Sequence, residues 1–295
     1  GYSERERMVN SSEFFDYDYI TIKYLGSDGS ESWVADYAGP GGQYVGPGGD
    51  DWAVAIVVDS AKNVYVTGYS IGVLQDEDYA TVMYDQNGHE LWVRRYTNGG
   101  MDRPCSIALD SAGSVYVSGT SENETTQFCT VKYNPDLVEW ADAYDGSAGL
   151  IDWASDVVTD SAGNIYATGT STETGTGTDF VTVKYNNSGN RQWLARYNGP
   201  VSGDDSGKSI AVDSSGNVYV TGTSTQTDSG QDITTIKYNS SGGLVWTRLK
   251  SSAGANSDSA AAIGLDSSGH VLVSGTVGGE IVTIQYDSAG NEQWA

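Results

Sequence analysis

Asp59-Ser-Ala-Lys-Asn-Val-Tyr-Val-Thr-Gly68 returns four more times along the chain, as Asp110 to Gly119, Asp160 to Gly169, Asp213 to Gly222 and Asp266 to Gly275. Its first half is turn chemistry: the Asp side chain bonds backbone two residues on, and Gly supplies positive φ. Its second half is β-rich. A second segment, Asp179-Phe-Val-Thr-Val-Lys-Tyr185 followed by a turn and Trp193, occurs six times. Its Tyr copies are Tyr24, Tyr84, Tyr133, Tyr185, Tyr238 and Tyr286, and its Trp copies are Trp33, Trp92, Trp140, Trp193, Trp246 and Trp294. The Trp spacings are 59, 48, 53, 53 and 48. Periods of this size mark repeat architectures.

In the fourth copy, Ser209 to Val212 and Val218 to Thr221 flank Asp213-Ser-Ser-Gly-Asn217, and Ile233 to Tyr238 and Leu244 to Leu249 flank Asn239-Ser-Ser-Gly-Gly243. Each unit therefore predicts two hairpins in a four-stranded antiparallel meander, with no helical periodicity anywhere. Short strands, evenly spaced turns and one aromatic motif per unit predict an all-β fold, a β-propeller of four-stranded blades. A Greek-key sandwich needs no period near 50, and a parallel β-helix has far shorter rungs. In the third strand, Thr21, Thr81, Thr130, Thr182, Thr235 and Thr283 stand three residues before the repeat Tyr, with Ile or Val one residue later. Side chains alternate along a strand, so both faces of each blade are predicted to be covered by neighbours.

The hairpins count to twenty-two strands, five and a half units. The predicted boundaries are an N-terminal arm at 1–15, a half blade at 16–38, and blades at 50–98, 99–148, 149–200, 201–254 and 255–295. Six blades leave one incomplete, to be completed by the N-terminal segment (Met8-Val9 and Phe14-Phe15 are the candidate strand) or by a neighbouring chain. The alternative is five blades plus an extra hairpin. An unfilled strand position exposes backbone N–H and C=O groups and invites pairing in trans, which points to self-association, head to tail, or to another protein partner. A piece of a longer repeat array has the same strand count.

The chain of 295 residues carries 39 acidic and 15 basic side chains, a formal charge of −24. Such a chain without Lys/Arg clusters repels phosphate, which excludes nucleic acid as a partner. Its longest apolar runs, such as Ala53 to Val58, are too short to insert in a membrane. The opening Gly1-Tyr2-Ser3-Glu4-Arg5-Glu6-Arg7 has no apolar core and reads as no signal peptide, the start of a processed or excised chain. Cys105 and Cys129 fall on the first and third strands of one blade, beyond disulfide reach, and are expected to be free.

Asp-Ser-x-Gly-Asn-Val-Tyr-Val-Thr-Gly-Thr-Ser, followed by Asp-Tyr/Phe-x-Thr-Val-Lys-Tyr-Asn-x-x-Gly and Trp, resembles the bacterial β-propeller repeat family called SBBP, from about Asp16 to Ala295. The resemblance implies a propeller that is secreted or displayed on the cell surface and carries no settled catalytic residues. Asn134-Pro135-Asp136-Leu137 in place of a Gly turn, Leu272 in place of Tyr, and Gln127 and Glu280 in place of the third-strand Asp depart from the pattern.

Five acids recur eight residues before the repeat Asp: Asp51, Asp102, Asp152, Asp205 and Asp258. Opening the innermost strands, they would ring one mouth of the channel, where oxygen ligands suit calcium (Ca2+). The competing reading gives each a hydrogen-bonding task in its own loop. Asp18, Asp78, Asp179 and Asp232 open third strands and read as turn acids. Lys23, Lys132, Lys184 and Lys237 read as stems packed along a strand. Gly68-Tyr69-Ser70-Ile71-Gly72 fits a nucleophile elbow only formally, since no helix follows. His89 and His270 sit where other turns carry Asn. Gly39 to Gly49 is an insertion found in no other unit, and Tyr37, Gln43 and Tyr44 are its candidate contacts for a glycan or protein. Sequons occur at Asn10, Asn123, Asn186 and Asn239. The reading is a secreted, non-catalytic interaction or assembly module, with a glycan-binding propeller second and a hydrolase third.

Overall fold

The computed structural model describes residues 2–9, 12–40, 49–72, 76–227, 230–252 and 257–295, with side chains from Tyr17 onward. Each inner hairpin turns on one Asp. Asp213 Oδ1 accepts from the Ser215 and Asn217 backbone N–H at 2.9 Å each, and Oδ2 accepts from Asn217 Nδ2 at 2.8 Å and the Tyr219 hydroxyl at 3.1 Å. Gly216 supplies the turn's positive φ of 77°. The second unit places Lys62 there instead, at φ 68°.

These hairpins build six antiparallel sheets. The first holds β1 (Tyr2–Val9), β2 (Ser12–Tyr24) and β3 (Glu31–Tyr37), and the second β4 (Asp51–Val58), β5 (Val64–Ile71), β6 (Glu77–Tyr84) and β7 (Glu90–Tyr96). The third holds β8 (Asp102–Leu109), β9 (Val115–Glu122), β10 (Thr126–Tyr133) and β11 (Val138–Tyr144). The fourth holds β12 (Asp152–Thr159), β13 (Ile165–Glu173), β14 (Gly177–Tyr185) and β15 (Arg191–Tyr197). The fifth holds β16 (Ser206–Val212), β17 (Val218–Gln226), β18 (Gly230–Tyr238) and β19 (Leu244–Lys250), and the sixth β20 (Ser259–Leu265), β21 (Val271–Val277), β22 (Glu280–Tyr286) and β23 (Glu292–Trp294). The first strand of each sheet from the second to the fifth packs on the next sheet's first strand, the arrangement of propeller blades around an axis.

The expected half blade, β2–β3, is thus the outer half of a first blade, and the N-terminal segment adds β1 to it. Register limits what β1 supplies. Tyr2 pairs with Tyr19 and Ser3 with Asp18, as Tyr69 pairs with Tyr79 and Ser70 with Asp78 in the second sheet. From there β1 runs away along Tyr17 to Ser12, so among the described residues no strand pairs the Thr21–Tyr24 edge on that side. Among the described residues, the first sheet also has no inner strand.

Every sheet has a back face toward its predecessor and a front face toward its successor. Val131 and Tyr133 of β10 point back into a cluster with Tyr65 and Tyr79 of the second sheet. Phe128 of the same strand points forward into a cluster with Ala154 and Val157. The repeat Thr also lies on the front face, where Thr81 and Thr67 hydroxyls meet at 3.0 Å and Thr130 and Ser118 at 2.9 Å. The front-face residues Tyr19, Tyr79, Phe128, Phe180 and Ile233 are fully buried. Each reaches the strand glycine of the following sheet. A Cβ on Gly119 would lie 2.6 Å from the Tyr79 hydroxyl, and one on Gly222 2.7 Å from the Phe180 ring. A Cβ there would also meet the carbonyl of its own sheet's first strand, 2.2 Å away at Gly119 and 1.9 Å at Gly222, so the repeat glycine is a matter of space rather than of φ.

A second device ties the outer edges. Trp33 Nε1 donates to the Gln86 carbonyl at 3.0 Å and Lys23 Nζ donates to the same oxygen at 2.8 Å. Trp140 with Lys132 does this at Asn187, and Trp246 with Lys237 at Ser288. Trp193 bonds the Ser240 carbonyl. The accepting turns carry Gly88, Gly189, Gly242 and Gly290, all at positive φ, and a Cβ on any of them would lie within 2.7–2.9 Å of the Trp ring. Lys23, Lys132 and Lys237 thus reach a neighbouring turn, a role beyond the expected packed stem.

Candidate functional site

The five recurring inner acids are buried, and each clamps its own loop. Asp152 accepts from the Gly146 N–H at 2.7 Å and the Thr172 N–H at 2.8 Å; Asp205 accepts from Gly199 at 2.5 Å and Thr225 at 2.8 Å; Asp258 accepts from Ser252 at 2.6 Å and Gly278 at 2.7 Å. Asp51 takes the Gly39 N–H at 2.6 Å and Asp102 the Asn98 N–H at 2.8 Å. Among the described residues, no three His, Cys, Asp or Glu side chains gather as metal ligands. Each carboxylate that the sequence offered to Ca2+ thus carries at least one hydrogen bond from its own loop.

These acids also face a second row. Asp78, Asp179 and Asp232 are buried near the starts of third strands, and Asp18 is buried at the matching place within β2. Burial pushes the Asp51 carboxyl up from its ordinary 3.8 to about 6, with the charge of Asp18 in the preceding sheet adding to the rise. Burial likewise raises Asp102, beside Asp78, and Asp179, beside Asp205. Desolvation disfavours the charged form and a like charge adds to it. At two seams an arginine offsets this. Arg95 donates to Asp78 Oδ2 at 2.8 Å, Ser70 Oγ at 2.6 Å and the Tyr37 hydroxyl at 3.1 Å. Arg196 pairs with Glu173 at 2.8 Å and donates to the Tyr144 hydroxyl. Both arginines stand three residues after the repeat Trp, a signal present in the sequence and missed there.

The exposed chemistry lies at the two ends of the blade series. On the back face of the first sheet, Ile22 is 38% exposed and Tyr24 59%, whereas Val82, Val131, Val183, Ile236 and the later repeat tyrosines in the same positions are buried. Ile56 of β4, which points back toward the first sheet, is 59% exposed, while its counterparts Ile107, Val157 and Ile210 are buried. On the front face of the sixth sheet, Ile281 is 89% exposed where Tyr79 and Phe128 are fully buried, and Thr283 is exposed beside it. Neither end face is covered by the other among the described residues. A cleft of about 210 Å³ lies between Ile20 and Ile22 of β2 and Ala53, Val54 and Ile56 of β4.

Of the loop candidates, Gln43 and Tyr44 lie outside the described residues. Tyr37 is buried against Tyr19, ring centroids 5.1 Å apart, and holds Arg95, so its ring is not presented to solvent. Ser70 of the elbow-like Gly68–Gly72 is buried on β5 and takes the Arg95 guanidinium. His89 and His270 bond Asp85 and Asp266 of their own turns. Cys105 and Cys129 are free, and burial holds the Cys129 thiol up at about 12, far from a reactive thiolate. No helix among the described residues is long and apolar enough to cross a membrane.

The SBBP beta-propeller repeat model matches residues 22–75 and 192–234. Among solved structures, the chain is similar to the Dos1 propeller, with a TM-score of 0.55 at 9% identity, covering 95% of this chain and 66% of that one. The chain thus spans about two thirds of that propeller's length, and the likeness is one of fold. XC5397 from Xanthomonas campestris, a gluconolactonase, aligns with a TM-score of 0.42 at 11% identity over 76% of this chain and 83% of that one, too weak a likeness to carry an argument. No curated protein matches the chain.

Proposed function

We propose that the chain is a non-catalytic interaction module that associates head to tail with copies of itself. The observation that supports this is the pairing of its two exposed ends. Ile281 and Thr283 repeat the front face, and Ile22 and Tyr24 repeat the back face, that meet at every internal seam. Burying such aliphatic and aromatic groups contributes about 25 cal/mol per Å² of apolar area. A front face docking on the next copy's back face is a heterologous contact, which extends into a filament unless its rotation closes. The repeat resemblance supports an exported or cell-surface setting for such an assembly.

Sedimentation velocity across a hundredfold concentration range tests the reading. Mass should rise with concentration, and Ile281→Asp should hold the chain as a monomer while leaving its melt unchanged, since that side chain touches little of its own fold. A wild-type chain that stays monomeric throughout would sink it.

A further inference from the structure

The seam between the third and fourth sheets carries a set of side chains that no other seam repeats. Lys132 of β10 is buried, 3% exposed. Its Nζ donates to Asn187 Oδ1 at 2.5 Å, to the Asn187 carbonyl at 3.3 Å and to Glu139 Oε1 of β11 at 3.1 Å. Asn187 Nδ2 in turn donates to Asp110 Oδ2 at 3.4 Å. These contacts fix which end of the amide faces the lysine, because turning it over would set donor against donor and acceptor against acceptor. Trp140 Nε1 holds the Asn187 carbonyl at 3.1 Å, and the Tyr116 ring lies 5.7 Å from Nζ. Other units lack at least one member. Gln86, Ser240 and Ser288 stand in the place of Asn187, and Ser32, Leu91, Gln192, Val245 and Gln293 in the place of Glu139.

An amine held against a carboxamide, with a carboxylate beside it, is arranged for amide exchange. We propose that Lys132 and Asn187 join in a covalent amide bond, which the chain forms on itself with Glu139 as proton carrier. Glu139 takes a proton from the Lys132 ammonium, and the freed amine attacks Asn187 Cγ. The Nζ–Cγ bond forms, and the bond from Cγ to the side-chain amide nitrogen breaks. In all, Glu139 carries two protons from Nζ to the leaving nitrogen, which departs as ammonium, and is itself unchanged at the end. One positive charge enters and one leaves, and no oxidant or other reactant takes part. Burial of Lys132 keeps water from competing at the amide carbon, and the Glu139 side chain, 39% exposed, borders a way out for ammonium.

Intact-mass spectrometry of the purified chain, denatured after prolonged incubation, reads the bond as a loss of about 17 Da, the mass of ammonia. Proteolysis should then release one linked pair of peptides, carrying Lys132 and Asn187. A succinimide at an Asn-Gly pair such as Asn87-Gly88 loses the same mass but links nothing. An unchanged mass, or a loss without the linked pair, therefore overturns the proposal. Lys132→Met, Glu139→Gln and Asn187→Ser each bring into this seam the residue that another unit carries there, Met83, Gln192 and Ser240, so all three should fold, and melts check it. Lys132→Met and Asn187→Ser should abolish the loss, and Glu139→Gln should slow it at least about a hundredfold. A linked pair formed at the parent's rate in Glu139→Gln would sink the mechanism. The reaction is a single event within one chain, so it stands or falls apart from any association of copies.

Discussion

Replacing Ile56 and Ile210 by Ala, one at a time, tests the open end of the blade series directly. The two residues hold the same place in β4 and β16, yet Ile56 is 59% exposed and Ile210 2%. At Ile210 the lost side chain leaves a cavity between the fourth and fifth sheets, where Val158 and Val212 also pack. Truncations of buried Ile to Ala cost about 2–5 kcal/mol. At Ile56 less than half of the side chain is covered, and solvent already reaches the space a cavity would occupy. Full burial of Ile is worth about 1.5–3 kcal/mol, so the covered fraction is worth about 1 kcal/mol. The expected gap between the variants is therefore about 1–4 kcal/mol. Urea unfolding in the monomeric concentration range reads it, with m-values checked for constancy. Equal losses at the two sites would refute the reasoning, since Ile56 would then be covered in solution.

Three further outcomes follow from the seams and turns. Asp51 titrates near 6 in the fold and near its ordinary 3.8 unfolded, so its protonated form favours folding. Stability should rise by up to about 3 kcal/mol as pH falls from 7 to about 4, with Asp102, Asp152 and Asp179 shifted the same way. Further acidification should reverse the trend, because the turn acids Asp59, Asp160 and Asp213 are held low by their hydrogen bonds. A melting temperature that is flat or falling from pH 7 to 5, or unaltered in slope by Asp51→Asn, contradicts this. Lys62→Gly should raise stability by about 0.5–1 kcal/mol, because Lys62 holds a left-handed φ that its counterparts give to Gly; a loss on thermal melting would disprove it. Gly222→Ala should cost about 2 kcal/mol or more, since the new methyl meets the Ser206 carbonyl and the Phe180 ring; a melt within error of the parent would show that the seam yields.

The hairpins, their turn acids, the free cysteines and the incomplete blade were legible in the sequence, because each rests on contacts between residues close in the chain. Period-two alternation also revealed that both faces of β10 are covered. It could not say what covers them. Phe180 and Gly222, Arg95 and Tyr37, Trp140 and Asn187 meet only once neighbouring sheets stack, some 40 to 60 residues apart. For the same reason the sequence left Asp51 and Asp205 open to calcium even though their recurrence favours a task within the loop. The choice depends on which N–H groups the loops Tyr37–Gly39 and Asn198–Gly199 bring to them. The open strand line of the first sheet had one legible sign: Gly1-Tyr2-Ser3 repeats Gly68-Tyr69-Ser70, and the register of Tyr2 and Ser3 follows it.

The tie of Trp and Lys to the next turn is missing from one seam. In the second sheet Met83 stands in the Lys position, the buried Trp92 Nε1 finds no acceptor, and the facing turn Asn134-Pro135-Asp136-Leu137 has no glycine for the indole to lie on. Where each unit is held chiefly by its neighbours, the weakest joint decides where the series divides. Among the seams that join two four-stranded sheets, the one between the second and third sheets should therefore part first under tension. A string of such chains would then carry one soft joint per subunit, at a fixed interval along its length.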